Sequence, residues 1–105
     1  MNGTRALLVL QDLATAATPV MNVLVSYIVR TQDGEYHVVV ADRMEELQGQ
    51  VGFYTVDDIS GTYKLLDFIG LVKDRGAGAD YTSYLERKGY RVVARYRAYE
   101  WVAVS

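Results

Sequence analysis

The clearest hydrophobic pattern in the chain lies between Val20 and Ala41. From Val20 to Thr31 the sequence is dense in β-branched residues, and both sets of alternate positions are largely apolar. The sequence Gln32-Asp33-Gly34-Glu35 follows, and an Asp-Gly pair between two β-rich runs predicts a tight hairpin. Tyr36 to Ala41 is then the return strand. Because the first strand is apolar on both faces, we expect it to lie at the centre of a sheet.

Apolar residues spaced three and four positions apart predict a helix over residues 62–73. Leu65, Phe68, Ile69 and Val72 follow the i, i+3, i+4, i+7 spacing that places side chains on one helical face. The glycine at position 76 then ends the segment in a way that is typical of helices.

Capping residues predict three further helices. One is expected between Thr4 and Pro19, with a strand over residues 6–10 as the alternative. A short acidic helix over residues 43–48 and a helix from about residue 80 to Lys88 complete the set.

Two more strands are predicted, one from Val51 to Val56 and one from Tyr90 to Val104. The last segment contains no glycine, proline, asparagine or aspartate, so it is either one long strand or a hairpin that turns near Arg97-Ala98. As one strand it would measure about 50 Å, longer than a small domain is wide. We expect the overhang to pair with a second copy of the chain across a two-fold axis.

The order of these elements predicts a layered α+β fold. A mainly antiparallel sheet of about four strands would carry the helices on one face. The length of 105 residues corresponds to a single domain over residues 1–105.

Composition excludes several classes of protein. Half of the residues are apolar, as in globular proteins. None is cysteine, and this excludes a disulfide framework, a cysteine-ligated zinc site and a thiol nucleophile. The net charge of −2 gives no global basic field for nucleic acid. No apolar run approaches the length that spans a bilayer, so we expect no membrane partner. Gln11 and Asp12 limit the apolar run after Arg5 to five residues, which is short for a secretory signal, so we expect a cytoplasmic protein.

The chain offers little catalytic chemistry, because His37 is its only histidine. No serine stands in a strand–turn–helix elbow, and no histidine or carboxylate spacing matches a known metal motif. We therefore expect no catalytic residues, no metal and no cofactor. The alternative is an enzyme with a pocket between the sheet and the 62–73 helix, in which His37 or a buried tyrosine donates a proton.

The last strand carries the most distinctive set of candidate binding residues. Strict alternation along this strand places five large polar or aromatic side chains on one face: Arg91, Arg95, Arg97, Tyr99 and Trp101. Two residues of the preceding helix, Tyr84 and Lys88, complete the predicted binding set. Such residues are typical of protein interfaces, and they also grip phosphate and stack on bases. A solvated sheet face without a partner has the same composition.

Residues 80–104 resemble the recognition helix and wing of small phage-type winged-helix proteins. A capped helix is followed by Leu85-Glu86-Arg87-Lys88-Gly89-Tyr90-Arg91-Val92-Val93 and an arginine-rich strand. The resemblance implies nucleic-acid binding through the helix 80–88 and the strand after it. The sequence departs from that pattern at Asp80, which opens the helix, and at the wing, which lacks a turn residue.

These features predict a non-enzymatic interaction protein, of a kind common among small prokaryotic or viral accessory proteins. It would bind a protein partner through the arginine- and aromatic-rich sheet face and form a homodimer. The alternative is a nucleic-acid-binding regulator.

Overall fold

The structure, a computed structural model of the chain, describes residues 20–42, 49–76 and 78–105, apart from the side chains of residues 97–99. In chain order it contains β1 (Val20–Thr31), β2 (Gly34–Asp42), β3 (Gln50–Ile59), β4 (Thr62–Lys73), one short helix α1 (Thr82–Arg87) and β5 (Arg91–Val104). The predicted α+β fold is therefore wrong, because the described residues are mostly strand. The helices predicted at residues 4–19 and 43–48 lie outside the described residues.

The five strands form a closed barrel in the order β1-β2-β3-β4-β5. Neighbouring strands are antiparallel, and β5 returns to pair with β1. Closure comes from a short parallel contact in which Thr62 lies opposite Ala103 and Tyr63 lies opposite Val104. This contact joins the beginning of β4 to the end of β5, so the two strands diverge beyond it.

The hairpin predicted at Gln32-Asp33-Gly34-Glu35 is confirmed. Strand β1 ends at Thr31, β2 begins at Gly34, and the backbone N–H of Asp33 donates to the Thr31 hydroxyl at 3.1 Å. The central position of β1 is also confirmed, since it pairs with β2 on one side and β5 on the other. The predicted third strand is present as β3, and it extends beyond both predicted ends.

The helix predicted over residues 62–73 is wrong, because this segment is β4. The register between β3 and β4 shifts twice, and each shift inserts an extra residue into β4. As a result Leu65 lies opposite Val56 and Phe68 lies opposite Tyr54, so two residues three positions apart share one face of the sheet. β-Bulges thus produced a spacing that resembles a helical one. The Thr55 hydroxyl accepts the Asp67 N–H at 2.9 Å within this irregular stretch.

Two clusters of buried side chains lie on opposite faces of the sheet. The first joins β1, β2 and β3 to α1 and its preceding segment through Val25, Tyr27, Val29, Val38, Val40, Val51, Phe53, Tyr81 and Leu85. The second draws on all five strands and comprises Val23, Val39, Ala41, Tyr54, Val56, Tyr63 and Val102. Strands β2 and β3 supply residues to both clusters, so each of these strands is buried on both faces.

Helix α1 agrees closely with the helix predicted from about residue 80 to Lys88. Leu85 is fully buried in the first cluster, and the ring of Tyr81 meets Phe53 edge-on with centroids 5.3 Å apart. The helix ends as predicted at Gly89, whose φ of 94° favours glycine.

Strand β5 is one continuous strand, and the hairpin alternative near Arg97-Ala98 does not form. Its partner β1 has 12 residues and pairs with it from Arg91 to Ala103. The overhang expected from the length of β5 is therefore absent, since the chain itself supplies the second strand.

Candidate functional site

The predicted cationic face of β5 is divided by a β-bulge. Ile28 lies opposite Ala94 and Val29 opposite Val92, which leaves Val93 as an extra residue. Arg91 therefore lies opposite Arg30, whereas Arg95 lies opposite Tyr27. Positions 27 and 30 of β1 point to opposite faces, and directly opposed residues share a face. The structure thus places Arg91 and Arg95 on different sides of the sheet.

Arg95 holds the segment that leads into α1. Its guanidinium donates to the carbonyl oxygen of Gly78 at 3.2 Å, and its Nε lies 3.9 Å from the carboxylate of Asp80. The side chain is only 30% exposed. These contacts indicate a structural role for Arg95 in positioning residues 78–80.

Trp101 lies far from both arginines. Ten residues of strand separate it from Arg91, which corresponds to about 33 Å. Its side chain is 71% exposed and its register partner is Asn22. The side chains of Arg97 and Tyr99 lie outside the described residues.

Tyr84 and Lys88 lie together on α1. The ring of Tyr84 packs against Phe53 with centroids 4.7 Å apart, and the Nζ of Lys88 lies 5.6 Å from the Tyr84 centroid. The hydroxyl of Tyr84 lies directly over Gly70 of β4, where a Cβ would overlap it. The helix packs on the barrel through Tyr81 and Leu85. In the described residues, the strand that follows α1 is part of the barrel, where it pairs with β1.

A groove of about 400 Å³, named here the α1 groove, lies between the end of β4 and α1. Its lining residues are Val72, Lys73, Arg75, Asp80, Tyr81, Ser83, Tyr84 and Arg87. Three of these are cationic and one is anionic, so the groove carries a local excess of positive charge. Of the residues predicted for binding whose side chains the structure describes, only Tyr84 lines it.

Arg75 is fixed at the rim of the α1 groove. Its guanidinium donates to the carbonyl oxygen of Asp80, and its Cζ lies 4.9 Å from the centroid of the Tyr81 ring. The backbone N–H of Arg75 donates to the Tyr81 hydroxyl at 3.3 Å. These contacts hold the Arg75 guanidinium in one orientation at the rim.

Asp80, the one acid of the α1 groove, is already engaged by hydrogen bonds. Its Oδ1 accepts from the Thr82 hydroxyl at 2.6 Å, from the Thr82 N–H at 2.9 Å and from the Tyr27 hydroxyl at 3.2 Å. The pKa of Asp80 is lowered, chiefly by the two Thr82 hydrogen bonds and further by Tyr27 and Arg95. Burial raises the pKa of Tyr27, with the Asp80 charge adding to the effect and the Tyr81 N–H opposing it.

His37 lies on the opposite side of the barrel sheet from α1. It is half-buried, and its ring meets Tyr63 edge-on with centroids 5.4 Å apart. Burial lowers the pKa of His37, against a smaller opposing effect of the Asp58 charge. Because residues 62–73 form a strand, the pocket expected between the sheet and a 62–73 helix does not form.

The open edge of β4 is the second candidate surface. In the part of the chain that the structure describes, β4 has β3 as its only strand neighbour from Lys64 onward. Leu65, Leu66 and Phe68 are 38%, 43% and 56% exposed, respectively. Large apolar side chains on an unpaired edge are typical of a strand that meets another chain.

Sequence reasoning missed Lys73, Arg75, Ser83 and Arg87. A signal was present in the sequence, because six basic residues but only three acidic ones fall between Lys73 and Arg95. The mistaken helix over residues 62–73 concealed it, since it separated Lys73 and Arg75 from the helix that follows them.

Among the described residues, no group of three histidine, aspartate or glutamate side chains is arranged to hold a metal ion. No helix in residues 20–42, 49–76 or 78–105 has the length and apolar character needed to cross a membrane. No known family model, curated protein or solved structure matches this chain.

Proposed function

We propose that this chain is a non-enzymatic binding protein that works as a homodimer, with two copies joined along the open edge of β4. The observation that carries the proposal is the set of exposed apolar side chains Leu65, Leu66 and Phe68 on one strand. In the described part of the chain, these residues lie where β4 no longer pairs with β5.

The apolar edge can meet its own copy. When two strands run antiparallel about a two-fold axis that passes beside Leu66, the two Leu66 side chains lie opposite each other on one face, with Leu65 and Phe68 close to them along the strand. Apolar side chains placed directly across two strands contribute about 0.2–1 kcal/mol per pair. The exposed ring of Phe68 would add buried apolar area at the margin.

The catalytic alternative finds little support around His37. Within the described residues, its ring meets Tyr63 with centroids 5.4 Å apart, and the charge of Asp58 acts on its pKa. The alternative needs His37 as a proton donor, and the lowered pKa disfavours the protonated imidazole that would donate.

The experiment is a pair of charge substitutions measured by sedimentation at concentrations around 50 µM. Leu66→Asp places an aspartate opposite its own copy, and Leu66→Lys places a lysine opposite its own copy. Each variant alone is expected to sediment as a monomer. An equimolar mixture of the two is expected to form heterodimers, because an aspartate of one copy then lies opposite a lysine of the other.

Glu86→Lys serves as the matched control, because Glu86 is an exposed acid on α1 and is not part of the strand that carries the interface. This variant should remain dimeric, and circular dichroism should show that all the variants keep the wild-type fold. A monomeric wild type contradicts the proposal, as does a mixture of the two single variants that stays monomeric.

A further inference from the structure

Within the described residues, the cations of the α1 groove have no anionic partner. Lys73 and Arg87 are exposed, and neither forms an ion pair within the described residues. Arg75 engages a carbonyl oxygen and an aromatic ring, and neither contact neutralises its charge. Three like charges around one concave surface repel one another, so an anion that enters the groove relieves that repulsion.

The acid of the α1 groove does not compete for the same cations. The carboxylate of Asp80 accepts hydrogen bonds from Thr82 and Tyr27, and its nearest cation is Arg95 rather than a groove residue. Arg75 contacts the backbone carbonyl of Asp80 and not its carboxylate. The guanidinium of Arg75 therefore keeps most of its five donors for a ligand.

The shape of the α1 groove selects among anions. A volume of about 400 Å³ exceeds what one inorganic ion occupies and falls in the range of small-ligand sites. Tyr81 and Tyr84 supply aromatic surface beside the cations, and Ser83 supplies a hydroxyl donor. Arginine is the side chain that best matches the geometry of a phosphate, through two parallel hydrogen bonds.

We propose that the α1 groove binds a phosphate ester of nucleotide size, with Arg75, Arg87 and Lys73 around the phosphate and the aromatic wall beside the organic part. Each groove is built within one copy of the chain. The site is therefore independent of the homodimer, and a monomeric protein would still bind.

The experiment is an amide NMR titration with three probes: pyrophosphate, adenosine diphosphate and a ten-residue oligothymidylate. With adenosine diphosphate, the shifts are expected at residues 72–75 and 80–88. Pyrophosphate should produce a subset of these shifts with weaker affinity, since it lacks the organic part. Affinity should fall as ionic strength rises.

Variants test which side chains carry the binding. Arg75→Gln and Arg87→Gln should each weaken adenosine diphosphate binding about tenfold, because each removes a charge-assisted contact. Arg30→Gln is the matched control, because Arg30 is an exposed arginine that pairs with Glu35 in the first hairpin. It should leave the affinity unchanged, and all three variants should keep the wild-type thermal midpoint within a few degrees.

The oligonucleotide distinguishes the source of the phosphate. Binding of adenosine diphosphate at least as tight as that of the oligonucleotide assigns the groove to a small ligand. Much tighter oligonucleotide binding that is lost in Arg75→Gln assigns the same phosphate contacts to a nucleic-acid backbone. The proposal is overturned if none of the probes shifts the groove amides at millimolar concentration, or if Arg75→Gln and Arg30→Gln bind equally well.

Discussion

The hydroxyl of Tyr27 donates a hydrogen bond to the carboxylate of Asp80 at 3.2 Å, although 53 residues separate them in the chain. The same hydroxyl accepts the backbone N–H of Tyr81 at 2.8 Å. One phenol in the middle of β1 therefore fixes two consecutive residues at the start of α1. The shape of the α1 groove depends on this link between the barrel core and the segment before the helix.

Removal of the Tyr27 hydroxyl should destabilise the fold. In Tyr27→Phe the N–H of Tyr81 is left buried without its acceptor, so we expect the free energy of unfolding to fall by about 1–3 kcal/mol. Urea denaturation measures the change. Tyr96→Phe is the matched control, because Tyr96 is 56% exposed, and its loss should be within about 0.5 kcal/mol. Equal effects of the two substitutions would show that the hydrogen bonds of the Tyr27 hydroxyl do not stabilise the fold.

Asp80 should make stability sensitive to acid. Hydrogen bonds from Thr82 hold its pKa below the ordinary value, so the folded protein releases this proton more readily than the unfolded chain does. The stabilising contribution is present at neutral pH, and it is lost as the pH falls below about 3.9 and through the lower folded pKa. In Asp80→Asn, thermal unfolding followed from pH 6 to pH 2 should show a shallower decline than the wild type. An identical decline would contradict this assignment.

His37 should make stability depend on pH in a higher range than Asp80 does. Burial lowers its pKa, so the unfolded chain takes up the proton first as the solution is acidified. Stability should therefore be highest above about pH 6.5 and should fall as the pH passes from there to the lower folded pKa. His37→Gln removes the titrating group, and its stability should be flatter between pH 7 and pH 5. A wild-type protein with no slope in that interval would count against the lowered pKa.

Gly70 and Tyr84 should be energetically coupled. A methyl group at position 70 overlaps the Tyr84 hydroxyl, whereas the ring carbon that bears this hydroxyl would lie at 3.4 Å, which is tight but closer to ordinary contact. Gly70→Ala should thus cost about 1–3 kcal/mol in the wild type and clearly less in a Tyr84→Phe background. A double-mutant cycle by urea denaturation measures the coupling. Strict additivity would mean that the two residues do not share this space.

Local sequence signals predicted the elements whose structure is set locally. The Asp33-Gly34 turn determines the first hairpin, and Gly89 determines the end of α1, so both were found. Strand β5 was recognised as a possible single strand because it lacks turn residues, but its partner could not be read from its own sequence. Its partner β1 lies about 70 residues earlier in the chain.

β-Bulges account for the principal errors. Strand β4 has one extra residue between Leu65 and Phe68 and another between Phe68 and Gly70, so its apolar residues show spacings of three and four. Only the register with β3 reveals that it is a strand. The extra residue Val93 likewise moved Arg91 and Arg95 to different faces after strict alternation had placed them together. Bulges are set by pairing between strands, so a single strand's sequence does not mark them. The α1 groove was missed for a related reason, since its cations come from two elements that only the barrel brings together.

The pairing of β1 with β5 has a consequence for the chain as it leaves the ribosome. Strands β1 to β4 can pair in succession as they emerge, but β1 keeps one edge without a partner until β5 has been made. That edge belongs to a valine-rich strand, and an unpaired apolar strand edge promotes aggregation of an incompletely folded chain. Ribosome pausing before codon 91 should therefore increase misassembly of this protein, whereas pausing after codon 104 should not.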